Sequence, residues 1–143
     1  MSADPDFREC LACSCFAARR AARVITQHYE QLMRPSGLRA TQFTTLVVLS
    51  IGGPQPLTRL ADHLGVERTT LTRNLRPLLA RGWVKESTAD DQRVRVLAIT
   101  KSGTSAAKGA LPNWREAQKS IARRLGTGVI EALTATAEAT GEL

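Results

Sequence analysis

Three features of the chain predict a mainly α-helical fold carrying one small β-hairpin. Apolar residues recur at steps of three and four through most of the 143 residues. Two β-branched runs, 83–87 and 94–100, flank a polar, turn-prone link. Glycine and proline fall between the periodic segments, at 35–37, 52–56, 65, 82 and 126–128, where they punctuate helices.

The first helix is predicted over 8–33. Leu11, Cys15, Ala18, Ala22, Ile25, Tyr29 and Leu32 with Met33 form one stripe of about six turns, with Arg19, Arg20 and Arg23 off it. Pro35, Ser36 and Gly37 end it. A second helix is expected over 41–51, capped by the Thr41 hydroxyl, with Phe43, Leu46, Val47 and Ile51 inward. The segment 52–56 stops that helix.

Leu57, Leu60, Ala61 and Leu64 share one helical face, and Gly65 supplies the positive φ of a sharp helix-ending turn. The next helix starts near Glu67 and carries Leu71, Leu75, Leu78 and Leu79 inward. Thr69, Arg73 and Arg76 point away from that line, flanked by Thr70 and Thr72. A short buried helix, a glycine turn and a helix with a Thr/Arg outer face form a helix–turn–helix. Arginine can make two bonds to a guanine edge or grip phosphates. Pro77 removes one amide donor, so a bend or a locally open ladder is expected there. The hairpin that follows is a wing, whose Arg93 and Arg95 suit the negative potential of a minor groove. Thr100 can cap a helix over 101–125, which Pro112 should kink or divide. A last helix is expected over 129–139.

The order of elements divides the chain into three parts: an N-terminal dimerisation helix over 1–37, a winged helix–turn–helix DNA-binding domain over 38–100, and C-terminal dimerisation helices over 101–143. The terminal helices carry more apolar surface than a small winged domain can cover, so a two-fold homodimer is expected. Its paired recognition helices suit a pseudo-palindromic operator in double-stranded DNA.

Composition agrees with a nucleic-acid partner. Lys and Arg number 20 against 13 Asp and Glu, for a net charge of +7. The thirds 1–53, 54–100 and 101–143 carry nets of +2, +3 and +2, so folding must assemble any anion-binding surface. Three Phe, two Trp and one Tyr are too few for base-stacking shelves. No apolar run approaches a membrane span, and the acidic N-terminus does not read as a secretory signal, so a cytoplasmic protein is expected. Enzyme classes are disfavoured. No G-x-S-x-G, H-E-x-x-H or P-loop pattern occurs. His28 and His63 read as surface or packing residues, and Asp90 with Asp91 as a turn. The alternative function is a winged helix used as a protein- or RNA-interaction module without specific duplex binding.

The stretches 37–43, 57–66, 68–75 and 81–84, the wing Asp91-Gln92-Arg93, and 97–100 with Gly103 together resemble a MarR-family transcriptional regulator. The resemblance implies a homodimeric winged-helix DNA-binding protein, usually a repressor released by a small molecule or by oxidation. It implies groove and phosphate contacts for Thr69, Thr70, Arg73 and Arg76, a minor-groove role for Arg93, and Asp91 as the residue positioning the wing arginine. Thr58, Arg68, Thr72 and Arg95 complete the expected DNA-contacting set. An effector pocket is expected between the dimer helices and the winged domain, with Phe16, Tyr29 and Trp114 as candidate liners.

Cys10, Cys13 and Cys15 crowd the first helix. Cys10 and Cys13 would be helical neighbours, whereas Cys15 lies on the apolar stripe. One straight helix cannot aim all three at one ion, and no metal or other cofactor is expected. Cys15 reads either as a small buried hydrophobe or, with the other two, as a redox sensor like the first-helix cysteines of some members of the resembled family.

Overall fold

In the computed structural model, which describes residues 7–90 and 92–140, the N-terminal stripe is not one rod. Glu9–Ala12 form a short 3-10 helix, Cys13 is extended (φ −65°, ψ 119°), and helix α1 runs over Ser14–Met33. The expectation of a continuous helix from residue 8 is therefore corrected. Every side chain from Phe7 to Val24 is exposed, so no packing within the chain rewards a longer helix there. The lower part of α1 turns inward at Ile25, and Met33 is fully buried.

Helix α2 (Ala40–Gly52) begins one residue earlier than expected, with Arg39 rather than Thr41 as its N-cap. Gln42 Oε1 accepts from the Arg39 amide at 3.0 Å, and Glu30 Oε1 accepts from the Ala40 amide at 3.1 Å. Those two acceptors satisfy amides at the helix start without the Thr41 hydroxyl. Phe43, Leu46 and Leu49 point inward, whereas Ile51 is 83% exposed, against expectation. Ile51 lies about 200° around the helix from Leu49 and cannot share its face.

Strand β1 (Gln55–Pro56), helix α3 (Leu57–Leu64), helix α4 (Arg68–Ala80), strand β2 (Val84–Thr88) and strand β3 (Arg95–Ile99) complete the winged segment. The sheet is antiparallel in the order β1-β3-β2, with Gln55 opposite Leu97 and Val84 opposite Ile99. β1 falls where only a helix stop was expected, because two residues are too few to show alternation. Gly65 takes the left-handed conformation (φ 63°) between α3 and α4. α4 continues through Pro77, and helix α5 (Lys101–Leu125) through Pro112 without dividing. Both prolines are exposed. The carbonyls that lose a helical donor there, at Arg73 and Lys108, belong to exposed residues within reach of water. Helix α6 (Gly128–Thr140) ends the described chain. Among the described residues, no helix is long and apolar enough to cross a membrane.

The core gathers Leu46 and Leu49 of α2, Leu60 of α3, Leu71, Leu75 and Leu78 of α4, and Val84 and Leu97 of the sheet. It also takes in Met33 from α1 and Ala110 from α5, so packing runs without a break from the winged segment into the terminal helices. Phe43 and Trp114 stack beside it, with ring centroids 6.2 Å apart.

One junction fastens α5 to the winged segment. Thr100 caps α5 as expected, its Oγ1 accepting from the Gly103 amide at 3.0 Å. The Thr100 amide donates to the Trp83 carbonyl at 3.0 Å, and the Ser102 hydroxyl donates to the Gly82 carbonyl at 3.0 Å. Gly103 abuts the Trp83 backbone so closely that an added Cβ would overlap the Trp83 carbonyl oxygen. Gly103→Ala should therefore destabilise the protein by about 1–3 kcal/mol, seen as a lower urea-unfolding midpoint. An unchanged midpoint would show that α5 does not press on this carbonyl.

Candidate nucleic-acid interface

Helix α4 has two unlike sides. Leu71, Leu75 and Leu78 are each no more than 1% exposed. Arg68, Thr69, Thr70, Arg73 and Arg76 are all exposed. Thr69, Arg73 and Arg76 follow the i, i+4, i+7 spacing of one helical face, opposite the leucine seam. The expected outer face is thus assembled as a strip of hydroxyls and guanidinium groups, able to donate to phosphate oxygens and to base-edge acceptors. Thr58 is exposed in the first turn of α3. Thr72 differs from its neighbours. It is half-buried, and its hydroxyl donates to the Arg68 carbonyl at 2.9 Å, so it braces the first turn of α4.

The wing places Arg93 in the exposed turn between β2 and β3. Asp91, expected to position it, lies outside the described residues. Arg95 is not a free cation. Its Nε and Nη2 donate to the two carboxylate oxygens of Glu86 at 2.6 and 2.9 Å. This two-bonded pair holds the Glu86 carboxyl below its ordinary range, chiefly through the hydrogen bonds and also through the charge of Arg95. Charge-assisted forks of this kind fix geometry. Arg95 therefore stiffens the hairpin that carries Arg93. Sequence reasoning missed this partner because Glu86 lies nine residues away, across the hairpin.

Above the helix–turn–helix, a cavity of about 370 Å³ opens between α1, α2, α4 and α5. Tyr29 and Trp114 line it together with Thr41, Thr44 and Thr45 of α2 and Leu71 and Asn74 of α4. The Tyr29 hydroxyl donates to Gln118 Oε1, and burial raises the tyrosine pKa above its ordinary value. Phe16 does not belong to this cavity. It is 60% exposed and lines a separate apolar groove with Leu11, Val24, Leu125 and Leu133. Phe16 lies nine residues before Ile25 on α1, about 13 Å along the helix from the part that lines the cavity.

Cys10, Cys13 and Cys15 are all exposed free thiols. The reading of Cys15 as a buried hydrophobe is corrected, since its stretch of α1 touches no core. Among the described residues, no group of three or more His, Cys, Asp or Glu could hold a metal ion. His28 Nε2 and Ser120 Oγ lie 2.9 Å apart in a hydrogen bond between α1 and α5, and His63 Nδ1 bonds Gln55 Oε1 at 3.0 Å. Both histidines are engaged in packing contacts.

Comparison with known proteins agrees with this geometry. The MarR family model matches residues 36–93, the helix–turn–helix with the first strand and turn of the wing. The Bacillus subtilis HTH-type transcriptional regulator YwoH is 30% identical over 82 residues, which are 57% of this chain and 60% of YwoH. The M. tuberculosis transcriptional regulator MosR, solved in complex with DNA, is 37% identical, with a TM-score of 0.80 over 91% of this chain and 97% of MosR. A variant of MarR from E. coli, complexed with operator DNA, has the same fold, with a TM-score of 0.78 at 18% identity over 96% of this chain and 99% of that one. With its buried-seam helix–turn–helix, its wing and its likeness to MosR over nearly the whole chain, this protein belongs to the MarR family of transcriptional regulators.

Proposed function

We propose that the chain acts as a homodimer that presses two α4 helices into a pseudo-palindromic DNA duplex and represses transcription until an effector releases it. The observation that carries this reading is the exposed Thr69-Arg73-Arg76 face set opposite a fully buried leucine seam. Arg93 on its stiffened hairpin adds a minor-groove contact, and Thr58, Arg68 and Thr70 reach the backbone. MosR and the E. coli MarR variant were both solved with DNA, which supports a duplex partner.

Dimerisation is supported by uncovered apolar surface at the chain ends. Leu11, Phe16 and Val24 are 81%, 60% and 59% exposed, and Leu125 and Leu133 are each 47% exposed. These residues border one groove between α1 and α6, apolar enough to be closed by the matching helices of a second copy. The dimerisation helices at 1–37 and 101–143 then flank a DNA-binding unit at 38–100.

Two release routes are open to the molecule. A small effector in the cavity beside Tyr29 and Trp114 would touch α1, α2, α4 and α5 at once, and so bias the direction of α4. Alternatively, a hydroperoxide can oxidise one of the three exposed thiols to a sulfenic acid, which condenses with a second thiol to a disulfide and water.

Sedimentation should give a two-chain particle. Its affinity for a selected palindrome should fall by about a thousandfold or more between about 50 and 200 mM salt. A monomer indifferent to every duplex would end the proposal. Arg73→Ala should lose about 1–3 kcal/mol on the selected site and far less on random DNA. An equal loss on both would make Arg73 a phosphate contact. Arg93→Ala should weaken binding while leaving the thermal midpoint in place; full affinity in that variant would remove the wing from the interface.

A further inference from the structure

Arg81 stands just past the end of α4, away from the groove-facing residues, and its guanidinium has two engagements. Nη1 donates to the Gly37 carbonyl at 3.2 Å, and Cζ lies 4.6 Å from the centroid of the Trp83 ring. Gly37 is a left-handed turn (φ 76°) where the segment after α1 passes into α2. Trp83 opens the wing, and Thr100 at the start of α5 holds its carbonyl. The end of α4 is therefore bracketed between the exit of α1 and the entry of α5.

A guanidinium suits that bracket. Its Cζ lies over the indole while Nη1 reaches a carbonyl, and a rounded, strongly hydrated ammonium suits such a pair of contacts less well. The leucine seam fixes the rotation of α4 about its own axis. The bracket, made by an exposed side chain, adds to the core packing that sets its direction relative to the helices that lead to the chain ends.

We propose that Arg81 is a positioning residue that sets the spacing between half-sites which the dimer accepts. The inference rests on the dimeric DNA-binding reading above. Moving one half-site by a base pair shifts it by about 3.4 Å and turns it by about 35°. A rigidly bracketed pair of α4 helices tolerates little of either.

The test uses a palindrome selected by the wild-type protein from a random duplex pool, then rebuilt with half-sites one or two base pairs closer or farther apart. Wild type should lose about tenfold or more per base pair of shift, because the second half-site drops out of reach. Arg81→Gln should bind the selected spacing about tenfold more weakly and discriminate spacings by no more than about threefold, with an unchanged salt slope. Arg81→Lys keeps the charge but lacks the flat face, and should recover only part of the discrimination. Two outcomes overturn the proposal. One is a wild-type spacing profile in Arg81→Gln. The other is equal weakening on all duplexes with a salt slope lower by about one and full rescue by Lys, the signature of a phosphate contact. Thermal melting checks that Arg81→Gln is folded; if it is not, Arg81→Lys carries the same comparison. A wild-type protein that selects no palindrome overturns the dimeric DNA reading itself, and the role of Arg81 with it.

Discussion

Burial of the leucine seam on α4 organises the molecule. Leu71, Leu75 and Leu78 meet Leu46, Leu60 and Leu97 in a core that α2, α3 and the sheet complete. A helix has only one rotation about its axis, so seating the seam dictates where every other side chain on α4 points. Thr69, Arg73 and Arg76 are driven outward with no contact needed to hold them there. Turning them inward would bury unpaired guanidinium groups, at a cost of several kcal/mol each. The exposed Thr/Arg face is thus a by-product of core packing, and it survives as long as the core does.

The same seam was the most legible part of the sequence. Leu57, Leu60, Ala61 and Leu64, then Gly65, then Leu71, Leu75 and Leu78 keep helical spacing on both sides of one glycine. The hairpin and the Thr100 cap were readable for the same reason: each is specified by residues close in sequence. What stayed hidden depends on partners far along the chain. Glu30 helps to start α2 from ten residues upstream of Ala40. β1 exists because β3, some forty residues later, offers it an edge. Arg81 was visible only as part of a family pattern, since Gly37 is 44 positions away. Pro77 and Pro112 interrupt neither helix, since both lie on solvent-facing sides. The break at Cys13 was missed because periodic apolar residues continue through it, but nothing in this chain packs against them.

Polar contacts add to the apolar packing of Met33 and Ala110 in tying α1 to α5. His28 meets Ser120, Tyr29 meets Gln118, and Asn113 Nδ2 donates to the Leu32 carbonyl at 3.2 Å. Hydrogen bonds demand specific geometry, so they set the register of the two helices. They also occupy the side of each helix that faces the other. The apolar residues Phe16, Val24 and Leu125 are left on the outside, where a second copy can use them.

The sheet has a consequence for how copies of this protein meet. β1 is two residues long, and one of them, Pro56, has no amide proton to offer. It covers one margin of β3 and gives almost nothing to a further strand. The other margin, β2, carries Lys85 and Glu86 along a five-residue run. Short, charged or donor-poor borders discourage foreign strands from adding on. The β-ribbon is thereby a poor route for one copy to stick to another, and the uncovered apolar surface lies instead on the helices at the chain ends.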